Sequence, residues 1–165
     1  MEFSIRDMEV QDWKEVAAIY ASGIATGFAT FETSVPDWSK WDKDHLPFAR
    51  IVATEKEVIG WASLTAVSNR CVYGGVAEVS VYVSKVHRGK GVGKKLLNSL
   101  IAESEKNGIW TLQAGIFSEN IVSIKLHESV GFRIIGYRER IGKLNDLWKD
   151  TVLLEKRSKV IGVDY

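Results

Sequence analysis

Cysteine is almost absent: Cys71 stands alone in a chain of 165 residues. A lone thiol excludes an intrachain disulfide and a cysteine-rich metal site, and it fits a reducing compartment. Proline is scarce too, at Pro36 and Pro47 only. No low-complexity stretch marks a linker and no internal repeat is visible. Residues 1–165 therefore read as a single domain. Excess charge of one sign is also lacking. Against 22 basic residues stand 21 acidic ones, for a net charge of +1. That balance supplies no broad field for nucleic acid or an anionic membrane, so any anion site must be local. No apolar run approaches the roughly 20 residues of a membrane span. Residues 1–7 show no basic leader before an apolar run, so a cytoplasmic location is expected. His45 and His87 have no partners at metal-ligand spacing, and no metal is expected.

What is present is ordinary globular material, 45% apolar and 26% charged. Residues 3–6 alternate as a short strand. Asp12 is placed to cap a helix carried by Trp13, Val16, Ala17, Ile19 and Tyr20. Gly23 and Gly27 interrupt that pattern, which leaves 24–32 as a loop or broken helix. The spacing of Trp38 and Trp41 predicts a helix over 37–43. Segments 49–54 and 58–66 read as a hairpin around a charged turn. Segment 68–75 is loop-like. Segment 76–83 alternates, with Val79, Val81 and Val83 on one side and Glu78, Ser80 and Tyr82 on the other. Val92, Leu96, Leu97, Leu100 and Ile101 carry a helix that stops at Asn107-Gly108. A strand over 111–116 and a short helix over 121–130 follow. Strands over 132–140 and 150–156 come last, joined by a polar loop. Hairpins early and β–α–β units late indicate a mixed α/β (α+β) domain, one sheet with helices on both faces.

The chemistry concentrates in Arg88-Gly89-Lys90-Gly91-Val92-Gly93, between a strand and a helix. A helix N-terminus leaves backbone N–H groups unpaired, and its dipole adds partial positive charge. Glycines let a phosphate approach those amides. Arg88, Lys90, Lys94 and Lys95 add four cations. The segment reads as an anion site for a phosphate-bearing cofactor, or more plainly as a tight strand–helix connection. It is not a P-loop, because Lys94 is followed by lysine and the glycine spacing is wrong. Nor does it follow a first strand in the register of a dinucleotide site.

The pattern Arg/Gln-x-x-Gly-x-Gly/Ala does match, at Arg88, Gly91 and Gly93. A second stretch stands in the right order: Asn120, Ser123, then Leu126-His127-Glu128-Ser129-Val130-Gly131-Phe132. With both, the chain resembles the GNAT superfamily of acetyl-CoA-dependent N-acetyltransferases over nearly its whole length. The resemblance implies one GNAT-type domain with a mixed, mostly antiparallel central sheet. Ala29-Thr30-Phe31-Glu32, Arg70, Tyr73, the strand from Glu78, and Gly142 with Trp148 and Asp150 are similar to the phosphinothricin and methionine sulfoximine acetyltransferase branch. Members of that branch often carry Trp-Lys just before the arginine; Ser68 and Asn69 stand there. The branch implies a homodimer and a role in antibiotic or herbicide resistance.

An α-amine must lose a proton before it attacks a thioester, so a base helps. The resemblance places that base at Glu78; the plainer possibilities are a surface carboxylate or a structural ion pair, with Arg70 as its candidate partner. Backbone groups of Val81, Tyr82 and Val83 are expected along the pantetheine arm, and Arg88, Gly89, Lys90, Gly91, Val92, Gly93 and Lys94 around the pyrophosphate. Asn120 and Ser123 are expected near the pantetheine amides, with a helix N-cap as the other role of Asn120. His127 either protonates the leaving thiolate or packs beside the cofactor. Phe28, Thr30 and Phe31 wall the acceptor pocket or fill core. Arg70 and Tyr73 are expected to meet the acceptor's oxyanion. The favoured acceptor is a small amino-acid-like amine. A protein N-terminus, a polyamine, or a non-catalytic CoA-binding module are the alternatives.

Overall fold

The computed structural model describes residues 1–164. Seven strands form one sheet in the order β1-β2-β3-β4-β5-β7-β6. β1 (Ser4–Asp7), β2 (Ile51–Thr54), β3 (Val58–Ala66) and β4 (Val76–Val83) are paired antiparallel. β5 (Thr111–Phe117) runs parallel to β4, and β6 (Arg133–Leu144) and β7 (Leu147–Arg157) close the other side as an antiparallel hairpin. The mixed, mostly antiparallel sheet expected from the sequence is therefore what forms.

Two cores lie on the two faces. Val79, Leu112, Ala114 and Leu154 pack with Leu96, Leu97 and Leu100 of α3 (Val92–Lys106), and α4 (Ile121–Ser129) completes this layer. On the opposite face Val16, Ile19 and Tyr20 of α1 (Trp13–Ala25) meet Trp61 and Trp41, the latter from α2 (Trp38–Asp44). Trp41 and Trp61 are fully buried, at 0% and 1% exposure. Truncating either would remove about 3–5 kcal/mol of stability.

Three local expectations are corrected. Gly23 does not interrupt α1; it lies within it, and a Cβ there would come 2.6 Å from Cδ1 of Tyr82. The glycine marks a close helix–sheet approach rather than a break. Asp12 precedes α1 without capping it, because its carboxylate accepts instead from Arg6 at 2.8 Å and from the Glu9 N–H at 2.7 Å. The polar stretch around 141–149 is not a loop. It is strand on both sides of Asn145-Asp146, whose φ values of 49° and 66° make a tight hairpin turn.

The feature that matters for function is where pairing stops. β4 and β5 are in register only from Val76↔Thr111 to Glu78↔Gln113. Both strands continue, β4 to Val83 and β5 to Phe117, without pairing to each other. A parallel pair that parts halfway leaves an open edge of backbone donors and acceptors along β4.

Candidate active site

A cavity of about 750 Å³ fills the gap between the parted strands, lined by residues 79–83 on one side and 114–117 on the other. At one end lies the glycine segment. Gly89 and Gly91 take φ of +74° and +84°, and a Cβ on either would meet nothing within 4 Å. Their glycines are needed for backbone conformation, and they leave open space above the loop. The Lys95 N–H closes the first turn of α3 on the Gly91 carbonyl at 3.1 Å. The N–H groups of Val92, Gly93 and Lys94 therefore have no acceptor within the helix, and they meet the cavity at its positive dipole end. This cradle fits a pyrophosphate. Gly93 has a second cause: a Cβ there would sit 3.0 Å from Leu126 of α4. Arg88 lines the cavity and hydrogen-bonds the Val83 carbonyl at 3.3 Å. Lys90 is exposed and does not line the cavity.

Glu78 lies where the strands part. Gln113 donates to its Oε1 at 3.1 Å. Gly115 lies below it, since a Cβ there would be 3.8 Å from the same oxygen. The ion pair with Arg70 does not form among the described residues; Arg70 stacks instead on Tyr73, 5.5 Å from the ring centre. Both are exposed on the β3–β4 loop and neither lines the cavity. The expectation that they wall the acceptor site is corrected: the loop turns them out onto the surface.

His127 lies in the cavity wall and is 3% exposed. Its Nδ1 is 2.7 Å from the Ser123 carbonyl. A carbonyl only accepts, so Nδ1 carries the proton. Burial pushes the imidazole below its ordinary value, leaving it neutral at pH 7 with a bare Nε2. That tautomer holds no proton on the free nitrogen, which favours the second of the two roles open from the sequence, packing beside the cofactor. Asn120 performs two tasks: Oδ1 accepts from the Ser123 N–H at 3.3 Å as the α4 cap, and Nδ2 donates to the Phe28 carbonyl at 3.2 Å. Ser123 also lines the cavity.

The other end of the cavity is bordered by the loop after α1. Phe28, Thr30 and Phe31 line it. Phe31 packs edge-on against Phe117 at 4.7 Å, and a Cβ at Gly142 would meet the Phe31 ring at 3.1 Å. Two phenols flank this end. Burial raises Tyr20 to about 12 and raises Tyr82 as well, so neither serves as a base at neutral pH.

The acetyltransferase (GNAT) family pattern matches residues 10–132. The chain belongs to the GNAT family. It is 32% identical over 162 residues to the L-methionine sulfoximine/L-methionine sulfone acetyltransferase of Pseudomonas aeruginosa, covering 94% of each chain. It is 33% identical to the phosphinothricin N-acetyltransferase of Alcaligenes faecalis, covering 93% of this chain and 81% of that one. The phosphinothricin acetyltransferase of Sinorhizobium meliloti, solved in complex with acetyl-CoA, superposes with a TM-score of 0.86 at 29% identity, covering 95% of this chain and 89% of that one.

This GNAT domain is an acetyl-CoA-dependent N-acetyltransferase, and its glycine cradle and parted strands suit that donor. No cluster of metal-ligating side chains occurs among the described residues. No helix among them is long and apolar enough to cross a membrane. Among the lining residues that the sequence patterns do not assign to the site are the 114–117 stretch of β5, His87, Arg138, Ile141 and Thr151. His87 adjoins Arg88 and bonds Ser84 Oγ at 2.6 Å, so its place beside the motif was the available signal. Arg138, Ile141 and Thr151 come from the β6–β7 hairpin, part of which reads from sequence as loop.

Proposed function

We propose that this enzyme acetylates the amine of a small amino-acid-like acceptor of the phosphinothricin, methionine sulfoximine or methionine sulfone type. The observation that carries this is the placement of Glu78. Its carboxylate lies where β4 and β5 part, in one cavity with the phosphate cradle and with an end lined by Phe28 and Phe31. The donor arm lies along Val81, Tyr82 and Val83, adding to the open edge of β4 as a strand would. The amine nitrogen, freed of its proton by Glu78 directly or through one water, attacks the thioester carbonyl. The carbon–sulfur bond breaks, the nitrogen gives its second proton to solvent as the amide forms, and CoA leaves as the thiolate, which takes up a proton from solvent. A β4 backbone N–H on the thioester oxygen stabilises the charge that develops there. Asn120 and Ser123 hold the pantetheine amides. His127 packs beside the arm and accepts through Nε2.

The aromatic loop bordering the acceptor end supports a small acceptor over a protein N-terminus, because an extended peptide needs a groove clear of such side chains. The mixed charge of the lining, Glu32 and Glu78 with Arg138, supports a zwitterion over a polyamine. The 165 residues act as one acetyltransferase domain, in the cytoplasm, and the activity fits resistance to such amino-acid toxins. We read the working form as a homodimer.

The test is free-thiol release by purified protein from acetyl-CoA with a panel holding phosphinothricin, methionine sulfoximine, methionine sulfone, a polyamine and an N-terminal peptide. The amino acids are expected to lead. Faster turnover of the peptide or polyamine would sink the acceptor assignment, and no turnover of any would leave a CoA-binding module. Glu78→Gln should lower kcat by roughly 10²–10⁴-fold. The residual rate should climb with pH toward the amine's own pKa, since only free amine then reacts. Unchanged turnover would remove Glu78 from the base role.

A further inference from the structure

We propose that Arg138 binds the carboxylate of the acceptor, and that a bulge in β6 aims it there. The inference rests on the amino-acid reading above and names the residue that confers it. Five side chains with basic groups line the cavity: His87, Arg88, Lys94, Arg138 and His127, the last a buried ring hydrogen-bonded to the Ser123 carbonyl on α4. The first three belong to the phosphate cradle and His127 to the α4 wall, where burial disfavours its charged form, which leaves Arg138 as the cation of the acceptor end among the described residues. Arg70 is on the outer surface, held on Tyr73.

The register puts Arg138 on the same sheet face as Glu78. Directly opposed residues of antiparallel strands share a face. Arg138 opposes Thr151, and Thr151 opposes Phe117. Phe117 lies two residues beyond Gly115 on β5, so both face the same side, and Gly115 lies beneath the Glu78 carboxylate. Arg138 is therefore two strands from β5, roughly 10 Å sideways at the usual strand spacing, with a long side chain to reach back. A carboxylate base on one side and a guanidinium on the other match the amine and carboxylate of one amino acid.

The backbone is built to present it. In a regular strand Arg138 and Ile141 would face opposite ways. Here both line the cavity, because pairing jumps between Arg138 and Gly142 and Arg140 takes φ of +48°. An inserted bulge re-aims side chains in this manner. Asp150 fixes the bulge: it accepts from the Arg140 N–H at 2.7 Å and from the Tyr137 hydroxyl. Neighbouring cations are already matched, Arg133 with Glu155 and Lys149 with Glu119. Arg138 has no carboxylate partner among the described residues. Its guanidinium is left for a ligand that offers a carboxylate fork.

The experiment compares L-methionine sulfone with its α-carboxamide as acceptors, for the wild type, Arg138→Ala and Arg138→Lys. The wild type should prefer the acid. Arg138→Ala should raise KM for the acid about 10- to 100-fold, as loss of a charge-assisted bond predicts. KM for the carboxamide and for acetyl-CoA should stay put, and the latter also reports an intact fold. Arg138→Lys should recover part of the loss, since a point charge replaces a fork. Equal changes for acid and carboxamide, or no change in the acid KM, would overturn the anchor while leaving the enzyme an amino-acid acetyltransferase. A wild type that acetylates neither compound, nor any other amino acid, overturns the acceptor reading and this inference with it.

Discussion

His45 and His127 share one arrangement. Each lies on or just past a short helix, each is largely buried, and each places Nδ1 at 2.7 Å from the carbonyl four residues earlier, Trp41 and Ser123. In both, burial lowers the ring's pKa more than the hydrogen bond raises it. The linkage follows directly. The unfolded chain takes up protons at these rings near pH 6.5, and the folded chain resists them until lower pH. Stability is fully present above about pH 6.5 and is lost as pH falls below it toward the folded values. Melting temperature should therefore drop between pH 7.5 and 5.5, and His127→Gln should flatten that drop while sparing the rest of the fold. An equal pH dependence in wild type and variant would show that His127 is not buried as a neutral ring. The same hydrogen bond bears on the chemistry at this residue. Its sequence position admitted a proton donor or a packing ring; an Nδ1–H held by the Ser123 carbonyl favours the ring.

At the scale of elements, the contact of α1 with β4 borders the cavity where we propose that the donor lies. Tyr82 stacks on Trp61 at 4.9 Å and packs against Tyr20 at 4.9 Å, so its ring is held from two sides. Gly23 makes the room on the third side. Gly23→Ala gains up to about 1 kcal/mol of helix propensity. Against that, a methyl 2.6 Å from a ring that cannot move overpacks the interface, at a cost of about 1–3 kcal/mol. The clash should win. Equilibrium denaturation should show a lower midpoint, and KM for acetyl-CoA should rise because Tyr82 belongs to the strand that receives the pantetheine arm. A variant with wild-type midpoint and KM would mean that α1 can slide, and the contact does not set the channel. The glycine is visible in the sequence, but a helical pattern alone reads it as an interruption. Only the strand behind it gives the reason.

For the molecule as a whole, the β6 edge is the exposed feature. Ile134, Ile135, Tyr137, Ile141, Leu147 and Trp148 on the β6–β7 hairpin are each more than 40% exposed. A long edge strand with that much apolar surface is a hazard for a monomer unless something covers it. A second copy is the covering expected from the family resemblance. Light scattering should give twice the chain mass, and Trp148→Glu with Ile134→Glu should shift it to the single chain. A wild type that runs as a monomer at assay concentration would dismiss the dimer.

The donor half of the site was determined by local sequence. A glycine cradle is a backbone device, and its conformation and charge depend on neighbours within a few residues, from Arg88 to Lys94. The strands and helices from 76 to 131 were legible for the same reason, since each pattern repeats within one element. The acceptor half was decided only by tertiary structure. Whether Arg70 or Arg138 meets the substrate depends on how far β4 and β5 stay paired, on a bulge in a hairpin that reads partly as loop, and on Asp150 reaching back across it. Those are contacts between residues distant in the chain, and no local spacing encodes them. Glu78 belongs to both levels: its alternation placed it on the open face of a strand, and the parting of that strand from its neighbour gave the carboxylate something to act on.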